Sequence, residues 1–159
     1  VGKGGVGKMD VGDRAMKFRF DIEPMGAVRA THKMARHRNK TTPIQRYINY
    51  KTAAQLMAKQ QYKGEPSKAA IGIPRITFYM PIPKDGKTEK IIDGKKKRIP
   101  VKDGDYHTKK PDVDNILKGV QDFLNGIVWV DDSQVCHIGE VRKVYSDKPR
   151  IELEVIELF

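Results

Sequence analysis

The chain has a single cysteine, Cys136, and a single tryptophan, Trp129, in 159 residues. One thiol forms neither an internal disulfide nor a multi-cysteine zinc site. The sequence therefore suits a reducing compartment and leaves any metal to oxygen or imidazole ligands. No apolar run approaches the ~18 residues a membrane span needs, and none follows the basic start, so spanning and secreted readings are disfavoured and a cytoplasmic protein is expected. Acids are scarce as well: 20 Asp and Glu face 31 Lys and Arg, a formal charge of +11. Between Pro24 and Gly64 there is no acid at all, while Arg29, Lys33, Arg36, Arg38, Lys40, Arg46, Lys51, Lys59 and Lys63 accumulate. A second stretch, Lys84 to Lys110, carries ten basic residues against five acidic ones. Lysine runs are commonly solvated faces, but two in one small domain favour a polyanionic partner, nucleic acid first.

Residues 1–15 hold five glycines and no helix or strand periodicity, which reads as a mobile tail or a non-native remnant ahead of one domain over 16–159. Within this tail, Gly2-Lys3-Gly4-Gly5-Val6-Gly7-Lys8 resembles a phosphate-binding loop. Met9 stands where a magnesium-binding hydroxyl belongs, and no strand precedes it, so no nucleotide cofactor is expected. Phe18, Phe20 and Ile22 alternate with Lys17, Arg19 and Asp21, as on a half-buried strand. Thr42 and Pro43 supply an N-cap and first-turn proline for a helix with Ile44, Tyr47, Ile48, Ala54, Ala58 and Tyr62 on its apolar face, closed by Gly64. Ile76, Phe78 and Met80 mark a second strand, stopped by Pro81 and Pro83. Asp93-Gly94 suggests a small basic hairpin or a flexible excursion. Two further strands are expected over 134–145 and Arg150 to Ile156.

The segment Lys109-Lys110-Pro111-Asp112-Val113-Asp114-Asn115-Ile116-Leu117-Lys118 is the most informative. An extended entry at Pro111 points Asp112 and Asp114 to one side. Asp114 or Asn115 then caps a helix with an apolar face of Ile116, Leu117, Val120, Phe123 and Leu124, stopped at Asn125-Gly126. That helix rises about 15 Å, and six extended residues after Gly126 descend about 20 Å, far enough to bring Asp131 and Asp132 back beside Asp112 and Asp114. Carboxylates so close repel unless a hard cation neutralises them, and Mg²⁺ or Mn²⁺ prefers such oxygens. With Lys118 one turn into the helix, the cluster suits phosphodiester chemistry, the metal activating water and the lysine stabilising developing charge. The plainer alternative stays open: Asp114 as a helix cap, and Asp131-Asp132 as a polar turn.

At these residues the chain resembles the RusA family of Holliday-junction resolvases, the crossover junction endodeoxyribonucleases of phages and prophages. The likeness is carried by Lys110 to Lys118, by Asp122-Phe123-Leu124-Asn125-Gly126, and by Trp129-Val130-Asp131-Asp132-Ser133-Gln134-Val135. A weaker likeness reaches back through Pro24 and the Arg29 to Arg38 loop. The resemblance implies an α+β fold, a mixed β-sheet with flanking helices, in a homodimer that cuts four-way DNA junctions by paired symmetric nicks during recombination and repair. It implies Mg²⁺ or Mn²⁺ at each active site, with Asp112, Asp114 and Asp132 as catalytic acids, Asp131 beside them, and Lys118 as the helix lysine. The basic Lys84 to Lys110 segment departs from compact members.

Arg29, Lys33, Arg36 and Arg38 are the expected backbone-phosphate contacts, and His32 and His37 beside them are expected to be solvated or to touch phosphate rather than metal. Trp129 and Phe123 read as core rather than base-stacking residues, and Cys136 and His137 as sheet packing. The competing functions are a branched-DNA binder that no longer cuts and a single-strand or RNA binder in which the acids are structural.

Overall fold

The Thr42 hydroxyl accepts a hydrogen bond from Gln45 N at 3.1 Å, and Pro43 takes the first helical position, so α1 (Pro43–Gln61) begins where the capping signal predicts. The protein is described by a computed structural model over residues 15–28 and 42–159. Tyr47, Tyr50, Ala54 and Ala58 form the buried stripe of α1. This differs from the predicted face, because Tyr50 lies in line with Tyr47 and Ala54 whereas Ile48 is exposed. The helix ends at Gln61 with Tyr62 as its cap, three residues before Gly64 is required.

Among the described residues the main sheet has four strands in the order β1 (Met16–Phe20), β6 (Arg150–Leu158), β2 (Ala70–Pro81), β5 (Val135–Ser146). β6 runs antiparallel to both β1 and β2, and β5 runs parallel to β2. A parallel pair needs a long crossover; here it contains the ribbon β3 (Lys87–Ile92) and β4 (Lys95–Pro100), followed by α2 (Val113–Leu124). β2 begins six residues earlier than Ile76 suggests. Pro74 lies within β2, and the ladder accommodates the proline at a register shift between Gly72 and Arg75.

Period-two alternation sorts the sheet into two faces. Phe18 pairs with Leu153, Phe20 and Phe78 with Ile151, and Ile76 with Leu153, all turned toward the helices. Ile116, Val120, Phe123 and Leu124 of α2 complete that core, Phe123 meeting Phe20 edge-on at 5.2 Å between ring centres. Trp129 is fully buried and donates to Asn125 Oδ1 at 2.8 Å, so both aromatic residues of the motif are core as expected. The opposite face is charged, with Arg19 against Glu152 and Arg75 against Glu154. Cys136 and His137 depart from the sequence reading: both are exposed, because they lie on the edge strand, where one side of the ladder faces solvent. The α+β class is thus observed. Among the described residues no helix is long and apolar enough to cross a membrane.

Candidate active site at the start of the second helix

Helix α2 begins earlier than predicted. Asp112 is its N-cap residue, extended at φ −69° and ψ 149°, and its side chain makes no capping hydrogen bond. Asp114 is already inside the first turn, so the two acids do not share an extended chain. Asn115 is not a cap either. Its Nδ2 donates to the carbonyl of Ala27 at 3.1 Å while Ala27 N donates to Asn115 O at 3.2 Å, tying the 24–28 segment to the start of α2. Gly26 fits beneath it, since a Cβ there would meet Asn115 Nδ2 at 2.6 Å.

Asp114, Lys118 and Asp122 recur at four-residue spacing and share one face of α2. With Ala27, Val28, Asn115 and Tyr47 they line a cleft of about 270 Å³. Tyr47 donates its hydroxyl to Asp122 Oδ2 at 3.2 Å, and burial, reinforced by that carboxylate, pushes the phenol up to about 12. It stays a neutral donor at any working pH. Asp122 received no role from sequence alone, although the four-residue step from Asp114 and Lys118 marks it.

Beside the cleft, Asp112 is held by a residue the motif does not contain. Lys143 on β5 donates to the carbonyls of Lys109 and Pro111, each at 2.6 Å. Burial lowers the Lys143 ammonium below its ordinary value, and the charge of Asp112 opposes that shift. Lys143 thus fixes the chain entering α2 from the sheet side.

Asp131 and Asp132 lie elsewhere. The extended return leg is absent: residues 126–128 form a turn, and Trp129 bridges back to Asn125 and to Ser67. Asp131 then caps the short 3₁₀ turn Asp132–Gln134, accepting from Ser133 N at 3.2 Å, and Ser133 holds its carboxyl below the usual range. Gln134 anchors the turn on the carbonyls of Ser67 and Ala69 at 2.8 Å. This is the C-terminal end of α2, whose 12 residues span about 18 Å. The sheet agrees: Val135 and Lys143, near opposite ends of β5, stand roughly 26 Å apart at 3.3 Å per residue. The predicted gathering of four acids therefore does not occur within one chain, and among the described residues no three of His, Cys, Asp and Glu group to hold a metal ion. Asp112 and Asp114 stand at one end of α2, Asp131 and Asp132 at the other. Arg29, Lys33, Arg36 and Arg38, with His32 and His37, fall outside the described residues.

The family model described as Endodeoxyribonuclease RusA matches residues 21–156. The chain belongs to the RusA endodeoxyribonuclease family. Among its relatives, the Crossover junction endodeoxyribonuclease rusA of Lactococcus phage r1t is 39% identical over 54 residues, 33% of this chain and 40% of that protein. The Uncharacterized protein YqaN of Bacillus subtilis (strain 168) is 40% identical over 84 residues, 52% of this chain and 55% of that one. The chain thus spans about half the length, or less, of these curated relatives. The RusA resemblance read from Lys110 to Lys118 and from Trp129 to Val135 is borne out at the level of the family.

Proposed function

We propose that this RusA-family chain is a metal-dependent endodeoxyribonuclease that resolves four-way DNA junctions by paired symmetric nicks in recombination and repair. The observation that carries the reading is one place: Asp112 at the mouth of α2, with Asp114 and Lys118 on successive turns lining one cleft, in a chain of charge +11. The phage relative bears the name of that activity. Val28 and Pro43 flank the cationic 29–41 segment, and both line grooves against Asn115. Arg29, Lys33, Arg36 and Arg38 are accordingly our candidates for phosphate contacts, giving affinity with strong salt dependence and little base selectivity.

Among the described residues Asp114 lines the cleft with Asp112 beside it, while Asp122 is engaged by the Tyr47 hydroxyl, so we propose that the homodimer supplies the further metal-binding acid. Strand β5 is an edge. Its C-terminal part is covered by Tyr106 and His107, which pair with Val144 and Lys143, whereas Val135 to Arg142 has no strand on its outer side among the described residues. Two copies pairing antiparallel there, about a two-fold axis near Ile138, carry Asp132 of each toward the Lys143 end of the other, where Asp112 stands. Asp131, engaged in its cap, is then a neighbour rather than the principal ligand. Mg²⁺ or Mn²⁺ suits such hard oxygen donors and would polarise the scissile phosphodiester. Lys118 stabilises negative charge on the phosphate, and Tyr47 and Asp122 floor the cleft.

The test incubates wild type, Asp114→Asn, Asp132→Asn and an equimolar mixture of the two variants with a synthetic four-way junction and Mg²⁺. Symmetric nicks by wild type, none by either variant alone, and single nicks by the mixture are expected, because a mixed dimer rebuilds one intact site. A mixture as inactive as its parts refutes the shared site; a wild type that never nicks refutes the nuclease. The separation of Asp131 and Asp132 from Asp112 and Asp114 within one chain favours, as second reading, a branched-DNA binder that does not cut. It predicts tight binding by wild type with no product in any metal.

A further inference from the structure

The β3–β4 ribbon is bound firmly at its root and bare beyond it. Asp93 and Gly94, at φ 51° and 73°, make the tight turn at its tip. At the root Thr88 is buried and accepts from the Tyr145 hydroxyl at 3.2 Å, and Val101 N donates to Gly86 O at 2.9 Å. The ribbon therefore projects from the same end of β5 at which Lys143 holds the entry to α2. Directly paired residues share a face. On one face Glu89 pairs with Arg98 and Ile91 with Lys96; Lys96 lies 3.6 Å from Glu89, and Arg98 is bonded to Asp85. Charge on that face is largely compensated. On the other, beyond Thr88 and Ile99, Lys90 pairs with Lys97 and Ile92 with Lys95. All three lysines are exposed, and none has an acid within 4.0 Å among the described residues. Like charges directly opposite on a two-stranded ribbon destabilise it. A local rule broken without internal compensation is a mark of a binding surface.

Resting on the junction-nuclease reading for its substrate, we infer that this face binds double-stranded DNA along one arm of the junction. Lys90, Lys95 and Lys97 contact backbone phosphates, and Ile92 lies against the groove. Six paired residues extend about 20 Å, and a two-stranded ribbon fits the major groove, which is about 12 Å wide. The negative phosphates relieve the Lys90–Lys97 repulsion, and the counterions released from each neutralised phosphate make the contact salt-sensitive.

The experiment compares wild type, Lys90→Gln/Lys95→Gln/Lys97→Gln and a charge-matched control on the far side of the molecule, Lys17→Gln/Lys59→Gln/Lys63→Gln. Affinity for a four-way junction and for linear duplex is measured from low to moderate salt. The ribbon variant is expected to bind both at least tenfold more weakly, with a log–log salt slope shallower by about 2 to 3. The control should stay within threefold of wild type. The ribbon variant should melt no lower than wild type, because removing the repulsion stabilises the hairpin. Should it melt lower, Lys97→Gln alone is read in the same assay, with a slope change of about 1 expected. A ribbon variant indistinguishable from the control, with wild type binding and cutting normally, overturns this inference alone. A wild type that binds no DNA removes the nuclease reading and this one together.

Discussion

Replacing Lys143 by methionine keeps most of the stem that packs against the sheet and deletes the ammonium that donates at 2.6 Å to the carbonyls of Lys109 and Pro111. A hydrogen bond from a charged donor contributes about 1.5–3 kcal/mol when shielded from water. The Pro111 bond is partly buried and takes that range, whereas the exposed Lys109 bond is screened to well under about 1 kcal/mol. Lys143→Met should therefore cost about 2–3 kcal/mol, a fall in Tm of roughly 4–12 °C at this chain length. The freed segment leads into Asp112, and a misplacement of about 1 Å at a reacting centre costs on the order of a hundredfold in rate. Cleavage of a four-way junction is expected to fall by about that factor while binding stays within threefold. Lys143→Arg, which retains several donors, should recover part of both losses. Thermal melting and single-turnover cleavage measure the two effects. A methionine variant that melts with wild type and cuts within twofold of it would refute the clamp.

Lys118→Ala should lower the single-turnover rate by about a hundredfold with little change in affinity, since its charge serves the transition state; an equal loss in both would make it a simple phosphate anchor. His107 packs on Tyr145 with its ring centre 4.7 Å away, its Nδ1 has no hydrogen-bond partner among the described residues, and burial, aided by the charge of Lys143, lowers its pKa below the usual 6.5. The fold thus favours the neutral ring. Stability is complete above pH 6.5 and declines as pH falls through that value toward the lower folded value, because the unfolded chain takes up the proton first. In His107→Phe this part of the acid loss should vanish in melts between pH 7 and 5, and an unchanged pH profile would exclude His107 as its source. Thr42→Ala removes the cap of α1 and should lower stability by about 1 kcal/mol, seen as a Tm drop of roughly 2–4 °C.

Features governed by neighbouring residues were legible without coordinates. The Thr42-Pro43 cap, the Asp93-Gly94 turn and the strand from Arg150 each depend on dihedral preferences and side-chain period within a few positions, and each is found where expected. The apolar stripe of α2 and the burial of Phe123 and Trp129 follow for the same reason. The shared helix face of Asp114 and Lys118 was not read, because Asp114 was expected on the extended entry or at the cap rather than inside the first turn. Pro74 shows the limit of such reasoning: a proline that argues against a strand locally is accepted when the partner strands shift register around it.

What surrounds the second helix was settled only by tertiary structure. Asp131 and Asp132 were expected to return to Asp112 on an extended leg, a conclusion drawn from chain length alone. The bridge from Trp129 to Ser67 and the anchoring of Gln134 hold them at the opposite end of α2, through partners more than 60 residues away in sequence. Lys143 reaches carbonyls 32 and 34 residues before it, which no local pattern announces. Sequence by itself determined the family, the helix that carries two acids and a lysine, and the basic excess. Tertiary structure decided which end of that helix each carboxylate occupies, because strand order and register are set by packing between distant segments rather than by the preferences of any one.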